Sequence, residues 1–442
     1  MRSTLSSPRL RRIIVAYTVN RLGSWVGLVA LSLAVFDHGH SALAVAALLL
    51  AWQALPAFLV PALVARVEAS KRRGTLSGLY FFEALVTAAL AVLLWHFSLP
   101  AILLLAGLDG TAALAASSLL RAEVASVARD QAAEPGGGNA PPQDPDAAVH
   151  EAERSGNAAL NVAFSVSFVT GPVLGGAVVA GAGAAAALFI DVGTFLACGL
   201  LLLDLHPHVE EVEGDSIRAR LRAALAHINA APSLRSLLLV DGVALILVQA
   251  GGPIEVAYVK STLHGGDEGY GLLVTAWGAG TVVASVVFAR SGRRPLGAML
   301  SAGIFALGAA FVGYAAAPSL AVACLAAFAG GAGNGLDFPS LISLVQRLTP
   351  KRLHGRMMSA TESLAALSLA VGLPLGGVLV ALSSPRTAFL ILGLGTLLAT
   401  AALVRLTLLG PQPASADALD AAAPAAAPIR TPGLLPHEPS PE

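Results

Sequence analysis

The chain has 442 residues, 27 basic and 27 acidic side chains, and only 12% charged residues against 56% hydrophobic ones. Soluble domains carry about 25% charged residues. With a mean hydropathy of +0.74, the composition excludes a disordered chain, a nucleic-acid binder held by net basicity and an ordinary soluble enzyme. Ser155–Ile190, Leu296–Leu336 and Ser363–Pro385 hold no Asp, Glu, Lys or Arg. A helix crossing the hydrocarbon needs about 20 apolar residues, so the pattern is that of a polytopic membrane protein.

In chain order, Met1–Arg12 carries four arginines and no small-residue cleavage site, so the first apolar run reads as a retained span. Hydropathy then predicts spans over 13–36, 43–65, 75–97, 100–120, 157–180, 184–204, 233–259, 269–289, 295–316, 319–346, 357–382 and 387–408. Of the 27 basic residues, Lys260 and Arg386 alone fall in the loops from odd to even spans. Arg21 lies within span 1, and all others fall on the opposite side. The positive-inside rule puts that side, with both termini, in the cytoplasm, and the membrane is expected to be the plasma (inner) membrane.

Between spans 4 and 5, Ala132–Val149 is rich in Pro, Gly and Ala and is expected to be a floppy insert that forms neither span nor core. Residues 205–232 join two six-span halves, 1–204 and 233–409. Within that linker Ile217, Leu221, Ala224, Leu225 and Ile228 form a helical apolar stripe flanked by arginines. It is either an amphipathic helix on the membrane surface or a solvated linker helix. Residues 410–442 are Ala/Pro-rich and expected to be disordered. The halves repeat: Ala51-Trp52 matches Ala276-Trp277, Ala65-Arg66 matches Ala289-Arg290, and Gly175-Gly176 matches Gly376-Gly377. Two parallel six-helix halves are a transporter architecture with the substrate path between them.

Ionisable residues inside the membrane default to functional candidates. Glu83, Asp109, Asp191, Asp241, Glu255, Asp337, Glu362 and Arg21 lie within the predicted spans. Residue counting places Asp109 nearest the midplane, with Gly107 and Gly110 leaving room for water or ligand, and puts Arg21 and Asp241 at similar depths in repeat-related spans. Two readings stand for these: a carboxylate that loads and releases a proton, or a fixed pair, Arg21 with Asp241 or with Asp109. Gly171, Gly175 and Gly176 let a neighbouring helix approach closely, and Pro172 favours a bend; they form a rocking seam or plain small-residue packing. Cys198 and Cys324 sit in apolar runs and form no disulfide framework or metal site. His38/His40 and His206/His208 offer no third ligand and read as solvated. The nucleotide loop Gly-x-x-x-x-Gly-Lys-Ser/Thr is absent, as are Gly-x-Ser-x-Gly and His-Glu-x-x-His. The expectation is a protein that is not an enzyme, with no cofactor, no metal and no ATP.

Asn334-Gly335 through Gln346-Arg347, His354-Gly355-Arg356 and Thr361-Glu362-Ser363-Leu364 resemble a motif around spans 10 and 11 of the major facilitator superfamily. Asn157 with Gly171-Pro172-Val173-Leu174-Gly175-Gly176 is similar to the antiporter motif of its drug:proton branch, which includes macrolide and siderophore exporters. The likeness covers about residues 13–408 outside the insert. One departure lies between spans 2 and 3, where Val64 to Arg73 keeps the basic cluster Lys71-Arg72-Arg73 but not the family's glycine and aspartate. Its counterpart around Arg293 and Arg294 also lacks the acid, which puts the family's gating latch in doubt.

The resemblance implies an all-α integral membrane fold of twelve transmembrane helices. Spans 1, 4, 7 and 10 would line a central cavity with Asn20, Arg21, Asp109, Asp241, Gln249, Glu255, Asn334 and Asp337. Asp191 would be on an outward-facing span, and the gating elements would be Lys71, Arg72, Arg73, Arg293, Arg294, Arg356 and Glu362. It implies a monomer in the bilayer that exports small amphipathic molecules in exchange for protons. The alternatives are a nutrient importer, or a sensor or scaffold that no longer transports.

Overall fold

In lipid no water can satisfy backbone N–H and C=O groups, so each apolar run closes its hydrogen bonds within itself as a helix. The computed structural model describes residues 8–58, 74–133, 145–203, 225–292, 294–350 and 353–409. Its helices are α1 (Pro8–Gly39), α2 (Ala42–Phe58), α3 (Thr75–His96), α4 (Leu99–Ala133), α5 (Pro145–Ala182), α6 (Ala184–Leu201), α7 (Pro232–Thr262), α8 (Gly266–Arg290), α9 (Leu296–Ala316), α10 (Leu320–Arg347), α11 (His354–Leu382) and α12 (Pro385–Leu409). Eleven are long and apolar enough to cross a membrane, and α2 is a shorter apolar helix over its described residues. No strand occurs among the described residues.

Local chemistry sets the ends. The Ser41 hydroxyl accepts the Ala44 N–H at the start of α2, and Pro232 opens α7 where a missing N–H costs nothing. Gly183, at φ +85°, breaks the apolar run into α5 and α6, a conformation open to glycine. Single π-helical turns interrupt α2 at Leu50–Ala54 and α7 at Tyr258–Thr262.

Several expectations shift. Helix α5 begins at Pro145, well ahead of the predicted residue 157, and α4 runs to Ala133. Both ends of the presumed floppy insert are therefore helical: α5 extends one apolar run N-terminally past its membrane portion, as helices do when no breaker stops them. Residues 134–144 lie outside the described residues, as do 205–224 of the linker and 410–442. Of the linker's stripe, residues 225–230 are helical and Ile228 packs on the apolar core of the second half.

The core falls into three clusters. One, including Val26, Leu33, Leu48, Ile254, Tyr258 and Phe389, draws on both halves. A second, around Tyr17, Tyr80 and Phe195, belongs to the first half alone; a third, around Leu237, Leu341 and Leu403, to the second half alone. The shared cluster occupies the end of the bundle with the odd-to-even loops. The separate clusters occupy the end with the N-terminal helix start. The halves are joined at one end and parted at the other.

Two repeat-related glycine crossings lie at the join. A Cβ on Gly176 of α5 would stand 2.8 Å from the Asp267 carbonyl oxygen and 3.1 Å from Gly271 Cα of α8. A Cβ on Gly377 of α11 would stand 2.9 Å from both Ala46 Cβ and Leu43 Cα of α2. The preceding glycines face inward: Gly175 lies against Val26 of α1 and Gly376 against Ala250 of α7. Matched glycine pairs thus make matched contacts, one within a half and one across halves, which gives the sequence repeat a structural meaning. Gly176→Ala and Gly377→Ala overpack these crossings and are expected to cost about 1–3 kcal/mol each. Gly193→Ala, where a Cβ meets nothing within 4 Å, is neutral or slightly stabilising. Thermal unfolding of the purified variants checks this.

Candidate functional site

The first half places three carboxylates together. Asp109 of α4 is 7% exposed, Asp191 of α6 4% and Glu83 of α3 0%. The Asp109 carboxylate accepts the Trp52 indole N–H at 2.9 Å and the Thr87 hydroxyl at 3.1 Å. Trp52 sits in the π turn of α2, and the space a side chain on Gly110 would need is filled by the Trp52 backbone. This close crossing of α2 on α4 lets the indole reach Asp109. It also corrects the expectation that Gly107 and Gly110 leave space for a ligand: Gly110 is filled by α2 backbone, and a Cβ on Gly107 would meet the Ala51 carbonyl oxygen at 3.6 Å.

Asp191 accepts the Thr194 hydroxyl at 3.1 Å, and its carboxylate fills the positions where side chains on Gly23 and Gly27 of α1 would stand. The expectation that its span faces outward does not hold for this residue, because the two glycines open a slot for the carboxylate in the half's interior. Both Glu83 oxygens are buried without a hydrogen-bond partner. A cavity of about 20 Å³ lies between these elements, lined by Ser24, Gly27, Trp52, Thr87, Asp109 and Asp191 among others, all of them in the first half. Asp109 therefore faces the interior of its own half.

Arg21 makes neither suggested pair. Its guanidinium donates to the Ser117 hydroxyl at 2.7 Å and stacks 5.3 Å from the centre of the Tyr17 ring. No ion pair joins it to Asp109 or Asp241 among the described residues. Asn20 is buried beside it with an unpartnered amide nitrogen.

The second half brings Asp241 of α7, 3% exposed, within electrostatic reach of the half-buried Asp337 of α10. Each has one oxygen buried without a hydrogen-bond partner. Gln249 and Glu255 are half-buried further along α7, with Gln249 Cβ closing the space beside Gly372 of α11. Asn334 is half-buried between Gly333, packed on α9, and Gly335, packed on the Thr281 carbonyl of α8. The glycines of that motif are crossing points. Gly171 and Pro172 are buried. Gly171 packs on Trp25, and the Pro172 carbonyl abuts Gly271. Arg356 is half-buried at the start of α11, and Glu362 and Arg294 are exposed. Lys71, Arg72, Arg73 and Arg293 lie outside the described residues.

Sequence reasoning did not single out the ion pair that ties the halves at the joined end. Lys260 of the α7 π turn lies 2.9 Å from Asp37 of α1 and also contacts Asp267 of α8. The signal was present, since Lys260 is one of two basic residues on that side.

Compared with known proteins, residues 237–436 match the Major Facilitator Superfamily model. An uncharacterized MFS-type transporter, YfiS of Bacillus subtilis (strain 168), is 27% identical over 241 residues, 51% of this chain and 57% of that protein; the match thus spans little more than half of the relative's length. Among solved structures, the nucleoside transporter NupG superposes with a TM-score of 0.70 at 12% identity, over 91% of this chain and 99% of that one. A bacterial homologue of the iron transporter ferroportin in an inward-facing state gives 0.67 at 16%, over 90% and 98%. The chain is a multi-pass membrane protein with the major facilitator fold.

Lys260→Gln removes the one cation of the inter-half cluster and is expected to loosen the joined end. With Cys198 and Cys324 replaced by serine, a Leu49→Cys probe, buried in the shared core, should react faster with a maleimide reagent when Lys260→Gln is present. An unchanged rate would show that the ion pair does not hold this end shut.

Proposed function

We propose that the chain is a secondary active transporter that exports small amphipathic molecules by alternating access, in exchange for protons. The observation that carries this reading is the join of the two halves at one end only. Gly176 on Gly271 and Gly377 on Ala46 are pivot-like crossings related by the repeat, and the cores diverge beyond them. Rocking about such crossings opens one end as the other closes. The basic residues of the termini and even-to-odd loops argue that the parted end is cytoplasmic, so this conformation is inward-facing, with both termini inside the plasma membrane. The MFS-type relative and the fold's other transporters support transport in general. Export is preferred on the antiporter-like span around Gly171–Gly176.

Proton coupling is supported by the chemistry of the carboxylates. An ionised carboxylate in hydrocarbon costs roughly 2.5–3.5 kcal/mol even on insertion scales, and Asp241 lies within electrostatic reach of Asp337 with no ion pair to either among the described residues. Two such groups relieve their repulsion by holding a proton, and they release it when the parted end admits water or a cationic substrate. The substrate would bind in the cleft between the halves as a single-chain, ATP-independent process.

Proteoliposomes with an imposed pH gradient test this. Substrate flux should follow the gradient in the direction of antiport. Asp241→Asn or Asp337→Asn should abolish accumulation against a gradient while leaving downhill exchange. Flux indifferent to the gradient would remove proton coupling, and transport in the opposite sense would identify an importer.

A further inference from the structure

The two halves carry unlike charges at matching places. Their register is fixed by structure as well as by sequence. His40 after α1 and His264 after α7 both take a left-handed backbone, at φ +44° and +54°, and the backbones of Trp52 and Trp277 fill the space beside Gly110 and Gly331. Counting back from the histidines pairs Tyr17 of α1 with Asp241 of α7, and counting on from the glycines pairs Ala116 of α4 with Asp337 of α10. Between Tyr17 and Ala116 the first half holds a cation. The half-buried Arg21 guanidinium lies over the Tyr17 ring, 5.3 Å from its centre, and donates at 2.7 Å to Ser117, the neighbour of Ala116. It therefore occupies in the first half the place that two carboxylates occupy in the second. Both sets stand at the parted end, beside the core that each half keeps to itself: Tyr17 belongs to one such core, and Leu237 and Leu341, each one turn from Asp241 and Asp337, belong to the other.

Neither set is neutralised within its own half. No ion pair joins Arg21, Asp241 or Asp337 to an opposite charge among the described residues. The acid within electrostatic reach of Arg21 is Glu83, which is fully buried, and the Arg21 Nε has no hydrogen-bond partner. One oxygen of each aspartate is likewise unpartnered. Arg21 and Asp337 are the partly exposed members of the two sets. Helix α1 packs on α2, α4, α5 and α6 of its own half and reaches α7 and α8 of the other, so what it leaves uncovered at the parted end is turned to the second half. A guanidinium fork suits a planar anionic oxygen group, and a carboxylate suits an ammonium. We propose that the two sets are the two ends of one substrate site and that the substrate is a zwitterion, its anionic oxygen group held by Arg21 and its ammonium by Asp241 and Asp337. This narrows the small amphipathic molecules of the transport reading above, on which it rests. A singly charged molecule leaves one end of the site desolvated and unpaired, and is rejected for that reason.

The test is a binding measurement on the full chain in lipid nanodiscs. The probes are phenylalanine, phenylalanyl-phenylalanine and β-alanyl-phenylalanine. Each is supplied as the free zwitterion, as the amide that keeps only the ammonium, and as the N-acetyl form that keeps only the carboxylate. Affinity is read from the concentration dependence of the melting temperature. The zwitterion of at least one skeleton should bind about tenfold more tightly than both of its singly charged forms, the scale of one charge-assisted hydrogen bond. Arg21→Gln should remove its advantage over the amide, and Asp337→Asn its advantage over the N-acetyl form, while Arg21→Lys, which keeps the charge, should keep the preference. An arginine that only braces α1 on α4 would change the melting temperature of the empty chain and leave the preference as it was. If no zwitterion is preferred to both of its singly charged forms, or if the preference survives Arg21→Gln, the proposal is overturned. Proteoliposome flux of the same probes separates this outcome from that of the transport reading. Zwitterion preference with flux indifferent to a pH gradient removes proton exchange and leaves this site standing. Gradient-driven flux of the amides without zwitterion preference does the reverse.

Discussion

Helices in a bilayer gain little from burying apolar surface against each other, because lipid tails are as apolar as leucine. What holds this bundle together is close approach of backbones at glycine. Gly176 and Gly271 bring α5 onto α8, Gly377 seats α11 on α2, Gly110 admits α2 against α4, and Gly331 does the same for α8 against α10. Everything else hangs on these crossings. The Trp52–Asp109 bond exists because Gly110 has no side chain, and Asp191 is buried because Gly23 and Gly27 leave it a slot. At the joined end two of these crossings, Gly176 on Gly271 and Gly377 on Ala46, run between the halves beside the apolar cluster they share.

The apolar cluster shared by the halves, including Val26, Leu33, Ile254 and Phe389, packs at the same end as these crossings. The Lys260 cluster with Asp37 and Asp267 adds an electrostatic tie at the same end. It is partly solvent-exposed, so its strength is modest. At the other end each half has a core of its own, so that separating them there exposes no broken cluster.

The fold was legible in the sequence because uncharged runs and basic loops are long-range, redundant signals. The repeat was legible from Trp52/Trp277 and the glycine pairs, although what each glycine touches was not. The site was legible only in part. Asp109 and Asp241 stood out by depth and Asp337 through the resemblance, and Asp241 lies within electrostatic reach of Asp337. Asp191 was misplaced because depth says nothing about azimuth. The slot that turns it inward is made by glycines on a helix some 165 residues away in sequence. The Arg21 pairs failed because Ser117 and Tyr17 were nearer partners that no spacing rule pointed to.

The repeat also shows where chemistry departs from scaffold. Trp52 and Trp277 hold matching places, each with its backbone against a glycine of the helix two spans on, Gly110 and Gly331. The residue before each of those glycines differs. In the first half it is Asp109, which takes the indole N–H. In the second it is Gly330, and the Trp277 ring lies where a side chain would be. Scaffold positions are kept in both copies, while the acid occurs in one. The second half's own acids, Asp241 and Asp337, likewise fall where the first half has Tyr17 and Ala116. A duplicated frame of glycine crossings therefore carries two unlike groups of acids: Asp241 and Asp337 on α7 and α10 in the second half, and Asp109, Asp191 and Glu83 on α4, α6 and α3 in the first.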